Sequence, residues 1–111
     1  MTVAPARNYN RSDWSSSFTN VDQELADVSV TAARGTVPAE LNGTLYRNGP
    51  GRLERDGHRV HHPFDGDGMI AAMRFENGAV SLTNRFVRTE GWLAEDTANK
   101  ALYRGVVGSQ K

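Results

Sequence analysis

Three histidines and two aspartates lie close together in the segment HHPFDGDG, residues 61–68, and at His58 just before it. Imidazole and carboxylate groups are common metal ligands, and aspartates that alternate with glycines also occur in calcium loops. The same glycines and aspartates are typical of tight turns. The spacing therefore suggests three interpretations: a transition-metal site, a calcium loop or a structural turn.

The spacing argues against the calcium interpretation. A calcium loop of the EF-hand kind has a glycine at position six and a glutamate at position twelve, and helices flank it. With Asp65 at position one, Ile70 is at position six and Glu76 at position twelve. The glycine is missing and no helix pattern flanks the loop, so a structural turn is the better interpretation.

The sequence FDGDG instead predicts a tight turn or a bulged corner that leads into a strand from Met69. Gly66 and Gly68 can adopt backbone angles that cost free energy in other residues. Asp65 and Asp67 can accept hydrogen bonds from nearby backbone amides, as turn aspartates do. We expect this corner to be structural.

A metal site made of histidines requires three or four ligands that converge on one point. In an extended segment His61 and His62 point to opposite faces, and so do His58 and His61. Only a distorted loop would bring two of them to one metal ion. We expect a hydrogen-bonded structural role, with His62 beside the corner formed by Pro63 and Phe64.

Arg47 and Asn48 end a predicted strand, Thr44 to Asn48, which a Gly-Pro-Gly sequence stops. A buried arginine there can bind a carboxylate ligand, but we favour a structural role in which it bonds loop carbonyls or pairs with Asp65 or Asp67. The candidate site is thus a structural motif with no predicted catalytic, cofactor-binding or metal-binding residue. Its members are Arg47, Asn48, His62, Asp65, Gly66, Asp67 and Gly68.

Composition excludes several classes of function. Among 111 residues, 13 lysines and arginines balance 13 aspartates and glutamates, so nucleic-acid binding is not expected. The chain has no cysteine, which excludes disulfides, thiolate catalysis and zinc–thiolate sites. It shows neither a secretory signal nor an apolar run of about 20 residues, and we expect a cytoplasmic protein. Peripheral membrane contact stays open.

The chain divides into a flexible polar lead-in, residues 1–24, and a strand-rich part, residues 25–111. Ser12 is placed to cap one short helix in the lead-in, and a disordered tail is an equal alternative. In the second part, Val28 and Val30 alternate with polar residues and predict a strand.

Two dipeptides predict hairpins: Asp56-Gly57, and Asn77-Gly78, which suits a type I′ turn with two positive φ angles. Apolar residues share one face of the strands around the second turn: Met69, Ala71, Met73 and Phe75 before it, and Val80, Leu82 and Phe86 after it, with Asn84 interrupting. The stretch from Glu90, anchored by Trp92 and Leu93, is predicted as loop or short strand.

Four stretches resemble the start of a carotenoid cleavage oxygenase, especially the bacterial and cyanobacterial apocarotenoid oxygenases: VPAELNGTLYRNGPGRLE, HHPFDGDGMIAAMRF, NRFVRTEGW and LYRGVVGSQ. The resemblance runs from about Gly35 to Gln110. It implies an all-β fold in which antiparallel strands form the opening blades of a seven-bladed β-propeller.

The resemblance also implies a chemistry. Enzymes of this family hold a non-haem ferrous iron, Fe(II), on the propeller axis through four histidines. The iron activates dioxygen, which cleaves a double bond of a carotenoid or apocarotenoid to carbonyl products. The iron histidines and the carboxylates that hold them lie beyond the segment equivalent to this chain, and His62 matches a structural histidine of the HxFDGDG motif.

An axial iron site needs a closed ring of blades, and each blade takes about 40–50 residues. We therefore expect the chain to be an N-terminal fragment of an iron oxygenase, inactive and without Fe(II) when alone. The alternative, from a different class, is a small non-catalytic β-rich interaction module that pairs edge-to-edge with a partner.

Overall fold

A computed structural model describes residues 18–106 of the chain. The strands are β1 (Leu25–Val30), β2 (Gly43–Arg52), β3 (Glu54–Arg55), β4 (His58–Arg59), β5 (Asp67–Glu76) and β6 (Ala79–Phe86), and the helix is α1 (Glu90–Ala98). A single turn of 3₁₀ helix, Pro63–Asp65, precedes β5. The short helix predicted after Ser12 falls outside the described residues.

One antiparallel sheet has the strand order β1-β6-β5-β2, and β3 pairs with β4 in a separate small ribbon. The predicted all-β class is confirmed, with α1 as an addition. Within residues 18–106 the sheet is open, with β1 and β2 at its two edges.

The hairpin of β5 and β6 is confirmed. Asn77 and Gly78 have φ angles of 49° and 80°, as the type I′ turn requires. The predicted apolar residues pair directly across the strands: Met69 with Phe86, Ala71 with Asn84, Met73 with Leu82, and Phe75 with Val80. The smaller hairpin is confirmed as well, because Asp56 and Gly57 join β3 to β4 with φ angles of 50° and 79°.

Strand β2 is longer than predicted, because it continues through the Gly-Pro-Gly sequence to Arg52. Proline is tolerated there since β2 lies at an edge of the sheet, where a missing backbone donor need not break a ladder. Pro50 pairs with Gly68, and Arg52 pairs with Asp67. Gly51 is therefore an extra residue that forms a bulge opposite the start of β5.

The segment that begins at Glu90 forms helix α1, so the prediction of a loop or short strand there is wrong. Thr89 caps it, since its Oγ1 accepts a hydrogen bond from the backbone N–H of Trp92 at 3.0 Å. Glu90 places a negative charge in the first turn, where the helix dipole favours it. Asn99 ends the helix in the left-handed conformation, with φ of 51°.

The hydrophobic core is small, and most of it lies around Phe86, where Trp92 of α1 packs on the sheet. Among the described residues, the buried apolar side chains are Leu53, Met69, Val80 and Phe86. The ring of Trp92 stacks on Phe86 with centroids 5.6 Å apart, which docks α1 on the sheet. Val28, Val30 and Leu45 on the same face are 42%, 43% and 50% exposed, so much of this apolar face is open.

Part of the predicted lead-in packs on the junction of β2 and β3. Asn20 Oδ1 accepts hydrogen bonds from the N–H groups of Leu53 and Glu54 at 2.7 and 3.0 Å. The N–H of Val21 donates to the carbonyl of Gly51 at 2.7 Å. The division at residue 24 stays a prediction.

No helix within residues 18–106 has the length and apolar character needed to cross a membrane.

Candidate functional site

His62 is the N-cap residue of the 3₁₀ turn that precedes β5. His62 Nδ1 accepts a hydrogen bond from the backbone N–H of Phe64 at 3.1 Å, and the two rings meet edge-on with centroids 4.6 Å apart. Because Nδ1 accepts, the neutral ring carries its proton on Nε2. His62 therefore acts here as the cap of a turn.

Gly66 and Gly68 do not supply unusual backbone angles, so that expectation is wrong. Gly66 has φ of −70° and ψ of 157°, and neither glycine has positive φ. A Cβ on Gly66 would lie 2.9 Å from Cβ of Pro50 and 3.0 Å from the carbonyl oxygen of Arg52. Glycine is needed at this position because the backbone of the corner approaches β2 closely.

The two aspartates of the corner bind residues that are distant in sequence. Asp65 Oδ1 accepts a hydrogen bond from the N–H of Val106 at 2.7 Å. Asp67, which is the first residue of β5, has Oδ2 3.2 Å from Arg55 Nη2 and 4.0 Å from Arg52 Nε. The corner thus connects the sheet to the segment that follows α1.

Arg47 and Asn48 lie on β2 with exposed side chains. Asn48 Oδ1 sits beside Gly68, 3.6 Å from where a Cβ of that glycine would lie. The pairing of Arg47 with Asp67 is not observed, because Arg52 and Arg55 are the described arginines that contact Asp67. In the sheet, Arg47 pairs with Ala71 of β5.

Arg55, which sequence reasoning missed, is the centre of the main polar cluster. Its side chain is 5% exposed. Nη2 donates to Asp67 at 3.2 Å, and Nη1 donates to Asp96 Oδ1 at 3.3 Å. Nε lies 3.7 Å from Glu95 Oε2. One guanidinium group therefore joins β3, β5 and α1, and we call these four residues the Arg55 cluster.

Glu95 is the buried residue of α1. Its Oε1 accepts hydrogen bonds from the N–H groups of Leu102 and Tyr103 at 3.2 and 3.1 Å. One oxygen of the Glu95 carboxylate thus holds the backbone that follows α1, and the other oxygen faces Arg55. No local pattern marks either residue, because a buried ion pair between distant elements leaves no periodic signal.

The protonation of Asp67 is shifted by its surroundings. Burial raises the pKa of Asp67 above its ordinary value of 3.8, and the negative charge of Glu95 adds to this rise. The hydrogen bond and charge of Arg55 and the charge of Arg52 act in the opposite direction, and burial outweighs them.

A cavity of about 30 Å³ lies inside this region and is lined by Arg52, Leu53, Arg55, His58, Arg59, Val60, Asp65, Asp67, Glu95 and Ala101. Pockets for organic ligands measure roughly 300–1,000 Å³. This cavity therefore admits molecules of the size of water and excludes a polyene.

The histidines do not fit a resident metal ion. His58 Nδ1 lies 3.4 Å from the carbonyl oxygen of Asp56, and His62 Nδ1 is used in the turn. Across residues 18–106, no three histidine, aspartate or glutamate side chains converge as a shared metal ion requires. The chemistry of this site is hydrogen bonding and ion pairing between elements of the fold.

Comparison with known proteins places this scaffold in a family. Residues 18–111 match the family model RPE65, retinal pigment epithelial membrane protein. The chain is 47% identical over 111 residues to apocarotenoid-15,15'-oxygenase of Synechocystis sp., covering 98% of this chain and 22% of that protein. It is 38% identical over 85 residues to isoeugenol monooxygenase of Pseudomonas nitroreducens, covering 77% and 17%. The chain thus spans about a fifth of the length of these relatives.

Solved structures agree with the sequence match. The crystal structure of cobalt-substituted Synechocystis apocarotenoid oxygenase superposes with a TM-score of 0.87 at 46% identity, covering 95% of this chain and 22% of that one. The apocarotenoid oxygenase structure is a β-propeller, and the antiparallel strands of this chain match part of it. The chain belongs to the RPE65 family of carotenoid oxygenases.

Proposed function

We propose that this chain is scaffold of a non-haem iron dioxygenase that uses dioxygen to cleave a double bond of an apocarotenoid or carotenoid. The observation that carries the proposal is the match to apocarotenoid-15,15'-oxygenase, which extends over nearly the whole chain in sequence and in structure. A second relative, carotenoid cleavage dioxygenase 8 of Arabidopsis thaliana, has the same class of activity in its name.

Fe(II) is the proposed cofactor of the whole enzyme. Support comes from the cobalt-substituted form of the Synechocystis relative, since cobalt replaces another divalent metal in such a protein. Because the described histidines do not fit a metal site, this chain supplies no iron ligand in the proposal. Its contribution is to hold strands and helix α1 in place, and we expect no cleavage by the chain alone.

The corner motif is the proposed structural centre of this scaffold. His62 caps the turn, Gly66 lets the corner approach β2, and Asp67 binds Arg55. Asp65 accepts a hydrogen bond from the N–H of Val106 and so holds the segment that follows α1. The contacts of Gly66, Asp67 and Asp65 tie the corner to other parts of the chain, and none of the four contacts requires a substrate.

We also propose a cytoplasmic protein that binds no nucleic acid and contacts membranes peripherally. Carotenoids are lipophilic, so an enzyme that acts on them gains from an apolar surface near lipid. Phe64 and Val106 are 82% and 96% exposed. The N–H of Val106 donates a hydrogen bond to Asp65, the residue that follows Phe64. These two exposed side chains support the membrane contact.

The competing proposal is an interaction module, and the open sheet edge favours it. Strand β2 has ten residues, lies at an edge of the described sheet, and carries Leu45 and Tyr46 at 50% and 70% exposure. Such an edge is a template for pairing with another strand. A folded chain that forms a defined dimer by sedimentation, and that gives an inactive enzyme when grafted into an oxygenase relative, would favour this alternative.

A graft tests the scaffold proposal directly. In Synechocystis apocarotenoid oxygenase, the matching segment is replaced by residues 18–106 of this chain, and cleavage of an apocarotenal is followed by product chromatography. We expect the iron-loaded chimera to retain activity within about tenfold of the parent enzyme. The parent enzyme lacking the segment is the control and should be inactive. A folded, iron-loaded chimera without cleavage would contradict the proposal.

A further inference from the structure

Two buried N–H groups of residues that line the small cavity have no hydrogen-bond partner among residues 18–106. They are Nε of Arg52 and Nε of Arg55. The carboxylate oxygens that face them are Asp67 Oδ2, at 4.0 Å from the first, and Glu95 Oε2, at 3.7 Å from the second. A direct N–H···O hydrogen bond joins atoms about 2.7–3.2 Å apart. Both pairs are too long for a direct bond.

A gap of this length between a donor and an acceptor is where a bridging water belongs. Leaving a buried donor without any partner is costly, and the side chain of Arg55 is almost wholly buried. Each of the two pairs therefore has the polar partners that a buried water needs, one donor and one acceptor.

The space for these waters is the cavity of about 30 Å³, which all four side chains line. A buried water needs roughly 10–15 Å³ measured in this way, so the cavity holds two. The charges of the lining favour a neutral occupant over an ion, because three cationic side chains face three carboxylates: Arg52, Arg55, Arg59, Asp65, Asp67 and Glu95.

We propose that two water molecules occupy this cavity as parts of the fold. One bridges Arg55 Nε to Glu95 Oε2, and the other bridges Arg52 Nε to Asp67 Oδ2. Helix α1 and the start of β5 are then joined to β2 and β3 through water as well as through the direct bonds of Arg55. This hydration site is independent of the proposed oxygenase function.

Arginine side-chain NMR on the 111-residue chain tests the proposal. With nitrogen-15 arginine, we expect two slowly exchanging Nε–Hε signals that show cross-peaks to long-lived water. Arg55→Lys should remove one of these signals and keep the other, and Arg52→Lys should do the reverse, since lysine has a charge but no Nε–H of this geometry. This pair of variants also assigns the signals.

The wild-type measurement decides the matter even where a variant fails to fold. The absence of any water cross-peak at both Hε protons, or rapid exchange of both with bulk solvent, would overturn the proposal. A crystal structure in which both Nε atoms bind Asp67 and Glu95 directly, with no water between them, would overturn it as well.

Discussion

Asp67 and Arg55 join the first residue of β5 to the last residue of β3, with Oδ2 and Nη2 3.2 Å apart. The same guanidinium group reaches α1 through Glu95 and Asp96 at 3.7 and 3.3 Å. Because Arg55 is the buried cation between these carboxylates, its removal would leave buried negative charge without compensation. The docking of α1 on the sheet depends on this residue.

Arg55→Met tests this dependence. Removing one partner of a buried ion pair typically costs about 3–5 kcal/mol, and we expect a loss of that size in the free energy of unfolding. The measurement is a urea titration followed by tryptophan fluorescence. Arg85→Met, at an exposed position of β6, is the matched control and should change stability by less than about 0.5 kcal/mol. Equal losses of stability from the two substitutions would contradict the proposed role of Arg55 as the buried cation of this cluster.

The raised pKa of Asp67 gives a pH dependence with a defined sign. A carboxyl group whose pKa is higher in the folded than in the unfolded state binds its proton more tightly when folded. The contribution of Asp67 to the free energy of unfolding should therefore decrease as the pH rises from 3.8 through the folded pKa. Asp67→Asn should remove this component.

Carbon-13 NMR of the Asp67 side-chain carboxyl measures the folded pKa directly. We expect the titration midpoint to lie above 3.8 because burial outweighs the two arginines. A midpoint below 3.8 would show that Arg55 and Arg52 dominate, and it would reverse the predicted pH dependence.

The bulge at Gly51 predicts a difference between two glycines of β2. A Cβ at Gly51 would lie 2.7 Å from Met69 Cβ and 3.0 Å from Phe86 Cε1, whereas a Cβ at Gly49 meets no atom within 4 Å. We expect Gly51→Ala to destabilise the chain by about 1–3 kcal/mol through overpacking. Gly49→Ala is the control and should leave stability nearly unchanged. Thermal unfolding of both variants gives the comparison, and indistinguishable curves would refute it.

The cap of α1 predicts a difference between two threonines. Thr89→Ala removes the acceptor for the N–H of Trp92, so we expect a loss of about 1 kcal/mol. Thr97→Ala lies in the same helix at an exposed position and should be neutral or slightly stabilising, since alanine favours helix. Far-ultraviolet circular dichroism during urea unfolding measures both. A larger loss for Thr97→Ala would rule out the capping role.

The fold could be predicted where the sequence carries a local signal. Asn77-Gly78 with alternating apolar residues on both sides predicts the β5–β6 hairpin, because turn type and side-chain alternation fix the register together. Helix α1 was missed because its buried side chain is Glu95 and its apolar residues form no stripe. The end of β2 was misplaced because Pro50 is acceptable on an edge strand.

The candidate site could be predicted only in part. The corner from His62 to Gly68 was found because its residue types are those of turns. Its partner Arg55 was missed, since an ion pair formed by tertiary packing depends on which distant elements meet. The sequence predicts an unusual backbone angle at Gly66, whereas glycine is required there because the corner approaches β2 closely. Such an approach between distant segments leaves no mark in the sequence.

Titration of the 111-residue chain with Fe(II) shows whether this chain supplies an iron ligand or scaffold alone. Binding is measured by calorimetry without oxygen, and the same sample is then assayed with an apocarotenal in air. We expect no saturable binding and no cleavage, because His58, His61 and His62 do not converge. Saturable binding of one iron per chain, lost in a His62→Ala variant, would contradict this expectation.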